Sequence, residues 1–149
     1  MVVDFHTHIF PEKIAGKTIT YLENKAHIKA FTDGTEEGLI SSMEAAGVDV
    51  SVVLPVVTRP EQFHTINDFA AQLNEKYQDK RTRLCSFGGI HPDSADYKGE
   101  LRTIKELGIL GIKLHPDYQD TYFDDIKYMR ILDYASELGL VSVVHAGVD

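Results

Sequence analysis

The 149 residues include one cysteine, five prolines and no tryptophan. A single thiol, Cys85, cannot close an internal disulfide, so the chain is no disulfide scaffold and suits a reducing, cytoplasmic setting. Basic residues are also scarce: 15 Lys and Arg stand against 23 Asp and Glu, giving a formal net charge of -8, and no segment gathers them. Phosphate backbones and anionic bilayers are held by clustered cations, so neither nucleic acid nor a membrane is an expected partner. No apolar run approaches the roughly 20 residues of a membrane span. The opening Met1-Val2-Val3-Asp4-Phe5-His6 lacks the basic start and long apolar stretch of a secretion signal. Also missing are the GxSxG nucleophile elbow, the GxxxxGK[ST] phosphate loop and the GxGxxG dinucleotide turn, while Cys85 falls inside a strand-like run, where burial is expected rather than nucleophilic duty.

What is present is a 43% hydrophobic, 26% charged chain whose apolar spacing alternates between two periods. Helical faces are read at Leu39, Ile40, Met43 and Ala46, then at Phe63, Ile66, Ala70, Leu73 and Tyr77. Two more follow, at Leu101, Ile104 and Leu107 and at Ile126, Met129, Leu132 and Ala135. Gly47, Gly108 and Gly139 end three of these faces, where a left-handed residue closes a helix, and β-rich runs follow directly. Five strands are predicted: Val2 to Phe5, Val48 to Val57, Leu84 to Ile90, Ile109 to Leu114 and Val141 to Val144. Pro11, Gly16, Asn24 and Gly34 are expected to interrupt a helix around Ile14 to Leu22, leaving either an active-site loop or a plain connection.

Gly108 and Gly139 stand 31 positions apart, and Gly47 and Gly108 stand 61 apart. These are one and two βα units of a (β/α)8 barrel, which spends about 31 residues on each. Such a barrel would take its first five units from this chain. A five-stranded doubly wound parallel sheet is the alternative, and it suits the length without a missing part.

The histidines separate the two. His6, His8, His91, His115 and His145 all fall at the C-terminal ends of predicted strands, the ligand-binding edge of parallel α/β folds. In His6-Thr7-His8 the strand period of two sends both imidazoles to one side, within reach of a shared ion. His145 is followed by Ala146 and Gly147, small residues that leave room beside its ring. In a doubly wound sheet the first and fifth strands lie about 14 Å apart, too far to share an ion. Across a closed barrel they face each other, so the histidines favour the barrel.

Lys113 and His115 end the fourth strand on one face, with Ile112 and Leu114 on the other. Lys113 suits a substrate carboxylate or, carbamylated, a metal bridge, and equally suits a strand-end lysine reaching for solvent. His91-Pro92 reads as a substrate contact or a strand terminator. Arg59, after the second strand, reads as an anion contact or a solvated side chain.

Together Asp4-Phe5-His6-Thr7-His8, Gly111-Ile112-Lys113-Leu114-His115-Pro116 and Val143-Val144-His145-Ala146-Gly147 resemble the amidohydrolase superfamily of metal-dependent TIM-barrel hydrolases. The nearer likeness is to its amidohydrolase-related branch, which includes aminocarboxymuconate-semialdehyde decarboxylase-type lyases. All 149 residues can be laid along the first five βα units of that family. The resemblance implies that His6, His8 and His145 hold a divalent metal, usually zinc, and that residues 1–149 are the N-terminal part of one hydrolase barrel domain. Beside these, the strand-end positions make Lys113 and His115 the catalytic candidates and Arg59 and His91 the substrate-contact candidates, and the cations Lys113 and Arg59 suit a small, anionic substrate. The implied reaction is hydrolysis of a C–N or C–O bond by metal-activated water, with metal-dependent decarboxylation as the alternative. Family members carry a further histidine after strand six and an aspartate after strand eight; Asp149 follows the strand-five motif too closely to replace that aspartate. PHP-type phosphoesterases also open with Asp-x-His-x-His, but Ile9-Phe10-Pro11-Glu12 lacks their serine-aspartate turn. An inactive half-barrel is the remaining alternative, and its open strand edges would favour homo-oligomers.

Overall fold

A computed structural model describes residues 1–147. The described residues form two compact units, one of residues 1–53 and 77–85, the other of residues 54–76 and 86–147.

The first unit begins with strand β1 (Val3–Thr7), followed by helices α1 (Glu12–Ala26) and α2 (Glu36–Ala46), strand β2 (Val50–Val53) and most of β3 (Arg83–Ser86). Of the expected interruptions, Pro11 and Gly34 lie outside α1, and Gly16 and Asn24 lie within it without breaking it. Pro11 precedes the first turn and its carbonyl accepts from the Ile14 and Ala15 N–H groups at 2.9 and 3.0 Å. Gly16 lies inside the helix with open space around it, so it costs helix propensity without breaking the ladder. The chain leaves α1 through His27 in the left-handed conformation, φ 55°. Thr35 then caps α2 by accepting from the Gly38 N–H at 3.0 Å, and Asp33 fixes that cap by accepting from the Thr35 N–H at 2.8 Å. Gly47 closes α2 at φ 69°. β1 pairs with β2 in parallel, Val3 opposite Val50 and Asp4 opposite Ser51, and the register shifts before Thr7 meets Val53. Pro55, which has no N–H to donate, accounts for β2 stopping short of the predicted Val57.

The second unit holds α3 (Phe63–Tyr77), β4 (Gly88–Gly89), α4 (Tyr97–Glu106), β5 (Gly111–Leu114), α5 (Ile126–Glu137) and β6 (Val141–Val144). Its core packs Leu101 and Ile104 of α4, and Tyr128, Ile131 and Ala135 of α5, with Ile112 and Leu114 of β5. Of the predicted face of α5, Ala135 is buried and Met129 and Leu132 pack against the core, while Ile126 is 75% exposed and Tyr128 and Ile131 carry the burial beside them. The expected strand Leu84 to Ile90 divides at Phe87 into β3 and β4. Asn67 of α3 explains the second piece, because its amide donates to the Gly89 carbonyl at 2.9 Å and its Oδ1 accepts from the Gly89 N–H at 3.0 Å. A Cβ on Gly88 would collide with that same Oδ1.

Within the two sheets the strand orders are β1-β2-β3 and β4-β5-β6, with β4, β5 and β6 parallel. Each order is sequential. A doubly wound sheet of the flavodoxin type would put β1 between β2 and β3, so the alternative architecture is set aside in favour of barrel-type winding. Among the described residues no helix is long and apolar enough to cross a membrane.

Candidate metal and substrate site

The first unit presents His6 and His8 at the C-terminal end of β1, both exposed, with the intervening Thr7 buried and its hydroxyl donating to the Val52 carbonyl at 2.9 Å. That bond fixes the strand end and sends the flanking imidazoles to the other side. Their ring centres are 5.1 Å apart with planes at 64°. Two imidazoles bound at about 2.1 Å to one tetrahedral cation have centres roughly 5 Å apart, so the pair fits two ligands of a zinc-like ion. Both histidines line a cavity of about 430 Å³ whose walls are mainly apolar, with Phe10, Ile19, Leu22 and Leu39 contributed by the loop after β1, α1 and α2. Glu23, the acidic residue on that wall, is engaged: its Oε1 accepts from the Ala30 N–H at 2.8 Å.

The second unit gathers His115 and His145. Their rings stack at 4.0 Å, nearly parallel at 8°, and Tyr118 stacks on His115 at 4.0 Å and 4°. The His145 backbone N–H donates to the Leu114 carbonyl at 3.0 Å, extending the β5–β6 pairing to the histidine itself. A Cβ on Gly147 would lie 3.4 Å from His145 Nε2, in ordinary van der Waals contact. Lys113 is wholly buried in β5, on the face opposite Ile112 and Leu114, and desolvation pushes its pKa down. His91 is buried too; its Nδ1 accepts from the Asp93 N–H at 3.1 Å, which assigns the proton of the neutral ring to Nε2. Burial is the main reason its pKa is lowered, against the opposing pull of Asp93. Arg59 is exposed, at the start of a short turn in which Gln62 Oε1 accepts from the Thr58 and Arg59 N–H groups at 2.9 and 3.1 Å.

The structure thus brings His6 together with His8, and His115 together with His145. Among the described residues no three His, Cys, Asp or Glu side chains form a metal-holding group. Asp149 lies outside the described residues. Sequence reasoning missed Asn67, Gln119 and Tyr128, all buried and polar. Asn67 had a usable signal, a polar residue on an otherwise apolar helical stripe. Gln119, four residues beyond His115 in a loop, had none stronger than its spacing.

Parallel βα winding in sequential strand order is that of a (β/α) barrel, with the His6–His8 pair at the C-terminal end of its first strand. Residues 3–149 match the family described as Amidohydrolase, and the chain belongs to that family. No curated protein sequence matches it. Among solved structures it is similar to 5-carboxyvanillate decarboxylase from Novosphingobium aromaticivorans, crystallised with manganese. That likeness has a TM-score of 0.71 and 17% identity over 97% of this chain and 50% of that one. It is also similar to a protein from Staphylococcus aureus described as an amidohydrolase, with a TM-score of 0.66 and 23% identity over 99% of this chain and 48% of that one. A Pseudomonas putida protein described as a 2-pyrone-4,6-dicarboxylic acid hydrolase gives a TM-score of 0.55 and 19% identity over 96% and 47%. The chain therefore spans about half the length of these structures and has the α/β fold of the corresponding part of their barrel.

Proposed function

We propose that the chain carries the first part of the active site of a metal-dependent amidohydrolase-family enzyme, acting on a C–N or C–O bond of a small anionic substrate. The observation that supports this most is the His6–His8 pair, whose 5.1 Å ring separation suits two ligands of one divalent cation, with zinc the preferred ion. His145 is assigned as a third ligand, and the remaining donors belong to the later strands of the family's barrel. A cation held there supplies Lewis acidity, polarising a substrate carbonyl and making water acidic enough to act near neutral pH.

The chain's own residues supply the rest. Thr7 anchors the strand between the two imidazoles, and the apolar cavity beside them takes the body of the substrate while excluding bulk water. In this reading Lys113, dehydrated in β5, takes a substrate carboxylate, and Arg59 and His91 make outer substrate contacts. Decarboxylation is the second reading. It is favoured by the likeness to a decarboxylase crystallised with manganese, and a buried lysine would serve a carboxylated substrate in either reaction. The family match weighs against the phosphoesterase reading.

The test is turnover by the whole enzyme of cyclic amides, lactones and carboxylated aromatics, with and without chelator. Chelator-sensitive hydrolysis supports the first reading and chelator-sensitive CO2 release the second. Turnover that survives complete metal removal defeats both.

A further inference from the structure

The second unit contains a side chain whose hydrogen bonding is saturated in an unusual place. Gln119 is buried, 4% exposed, and lies in a loop. Its Nε2 donates to two carbonyls, Val57 at 2.7 Å and Ile90 at 2.8 Å. Its Oε1 accepts from the His115 backbone N–H at 3.0 Å and from the Tyr128 hydroxyl at 2.6 Å. A primary amide has two donor hydrogens and two acceptor lone pairs, and all four are used. Three of the partners are backbone groups of the second unit: Val57 in the connection before α3, Ile90 directly after β4 and His115 directly after β5. The side chain therefore ties together the segments that lead into His91 and His115.

The same residue closes the turn that carries a column of rings. The Gln119 N–H donates to the His115 carbonyl at 3.0 Å, so residues 115–119 form one helical turn, and that turn lays Tyr118 flat on the His115 ring. His115 in turn lies flat on His145. Sandwiched between two parallel rings, His115 cannot rotate without sliding both neighbours, and His145 has one face fixed by the stack.

We propose that Gln119 is the positioning residue of this site: by clamping the ends of β4 and β5 to the connection at Val57 it holds the Tyr118–His115–His145 column and thereby sets the ring of His145 for its ligand. The metal-ligand part rests on the proposed function; the clamp and the column do not. Outer residues that orient a metal-bound histidine are commonly worth about 10–100-fold in affinity. Gln119→Met keeps the length of the side chain and removes all four hydrogen bonds. Tyr118→Leu removes one ring of the column, and Tyr118→Phe keeps it.

Each variant of the full chain is followed in two ways. Zinc affinity is measured by competition with a chromophoric chelator, and the imidazole resonances of His115 and His145 are read in long-range proton–nitrogen spectra of the metal-free protein. In the wild type, stacking should shift the ring protons of His115 upfield. Gln119→Met should weaken zinc about tenfold or more and move the resonances of both histidines toward unstacked values. Tyr118→Leu should move them in the same direction and Tyr118→Phe should restore them. A folded Gln119→Met protein with wild-type zinc affinity and wild-type imidazole shifts overturns the proposal. If that variant does not fold, the Tyr118 pair decides, and identical histidine spectra for Leu and Phe overturn it. A whole enzyme that binds no zinc defeats the proposed function, while the metal-free spectra still judge the clamp.

Discussion

The two histidine-bearing strand ends are built in opposite ways. At the end of β1 the rings of His6 and His8 are exposed beside a cavity, and the strand that carries them is itself open, with Val3 43% and Phe5 51% exposed. At the end of β5 every residue from Gly111 to His115 is buried, and the adjoining loop is tied by Gln119 and Tyr128. An open end can receive a ligand and be changed at little cost to folding. A packed end holds its geometry without a ligand and cannot be altered cheaply. The first has the properties of a contact surface, the second those of a positioning frame.

The largest expected effect breaks the open end. His6→Ala combined with His8→Ala should abolish metal binding, reducing zinc measured by elemental analysis to a small fraction of the wild-type content. Because neither ring is buried, folding stability should change by less than about 1 kcal/mol. Equal metal content in the two proteins would remove β1 from the site. The packed end should respond in the reverse sense. Asn67→Ala leaves the Gly89 N–H and carbonyl without the partners that replaced a strand ladder, and should cost about 3 kcal/mol. In a chain of this size that corresponds to a melting temperature lower by roughly 10 °C, readable by circular dichroism. A melting temperature within 2 °C of wild type would show that the packed end is not held as described.

The difference between the ends also explains what was legible beforehand. Amphipathic spacing and helix-closing glycines were local signals, and Gly47, Gly108 and Gly139 adopt φ values of 69, 72 and 69° where they were expected to. The histidine pair was local too, since His6 and His8 are two residues apart and their relation follows from strand geometry alone. What was not legible is long-range. Asn67 reaches 22 positions to Gly89 and Gln119 reaches 62 to Val57, and nothing in the neighbouring residues advertises either bond. The split of one predicted strand into β3 and β4 follows the same rule, because a helix side chain takes over hydrogen bonds that periodicity assigns to a neighbouring strand.

Lys113 sharpens the comparison from inside the packed frame. Its folded pKa lies below 10.5 because burial disfavours the charge, so folding pays to dehydrate the ammonium wherever both states are protonated. That cost is full below the folded pKa and disappears as pH rises toward 10.5. Wild-type stability, with other titrations subtracted, should therefore climb with pH in that window, and Lys113→Met should abolish the climb. At pH 7 the variant should be more stable by about 1 kcal/mol. Turnover by the whole enzyme should fall by about 100-fold or more while its metal content holds. A variant that is less stable yet fully active would make Lys113 a structural residue.

The smallest effect separates His91 from the ion pair beside it. His91 is buried and its folded pKa lies below 6.5, so above 6.5 both folded and unfolded rings are neutral and it contributes no pH dependence. As pH falls below 6.5 the unfolded ring takes up a proton first, and stability is lost until the folded ring also titrates. Asp93, held by Lys127 at 2.7 Å, works in a different window: its folded pKa is depressed below 3.8, so its contribution is full above that value and is lost only as pH falls further. Denaturant melts between pH 6.5 and 5 should thus show a decline of less than about 1 kcal/mol that belongs to His91. His91→Gln, which keeps an acceptor for the Asp93 N–H, should flatten it, whereas Lys127→Met, which removes one minor cause of the lowered His91 pKa, should only soften that slope and act mainly below pH 4. A decline unchanged in His91→Gln would mean that the His91 ring is open to water, and the packed frame would then end at β5 instead of extending to the loop after β4.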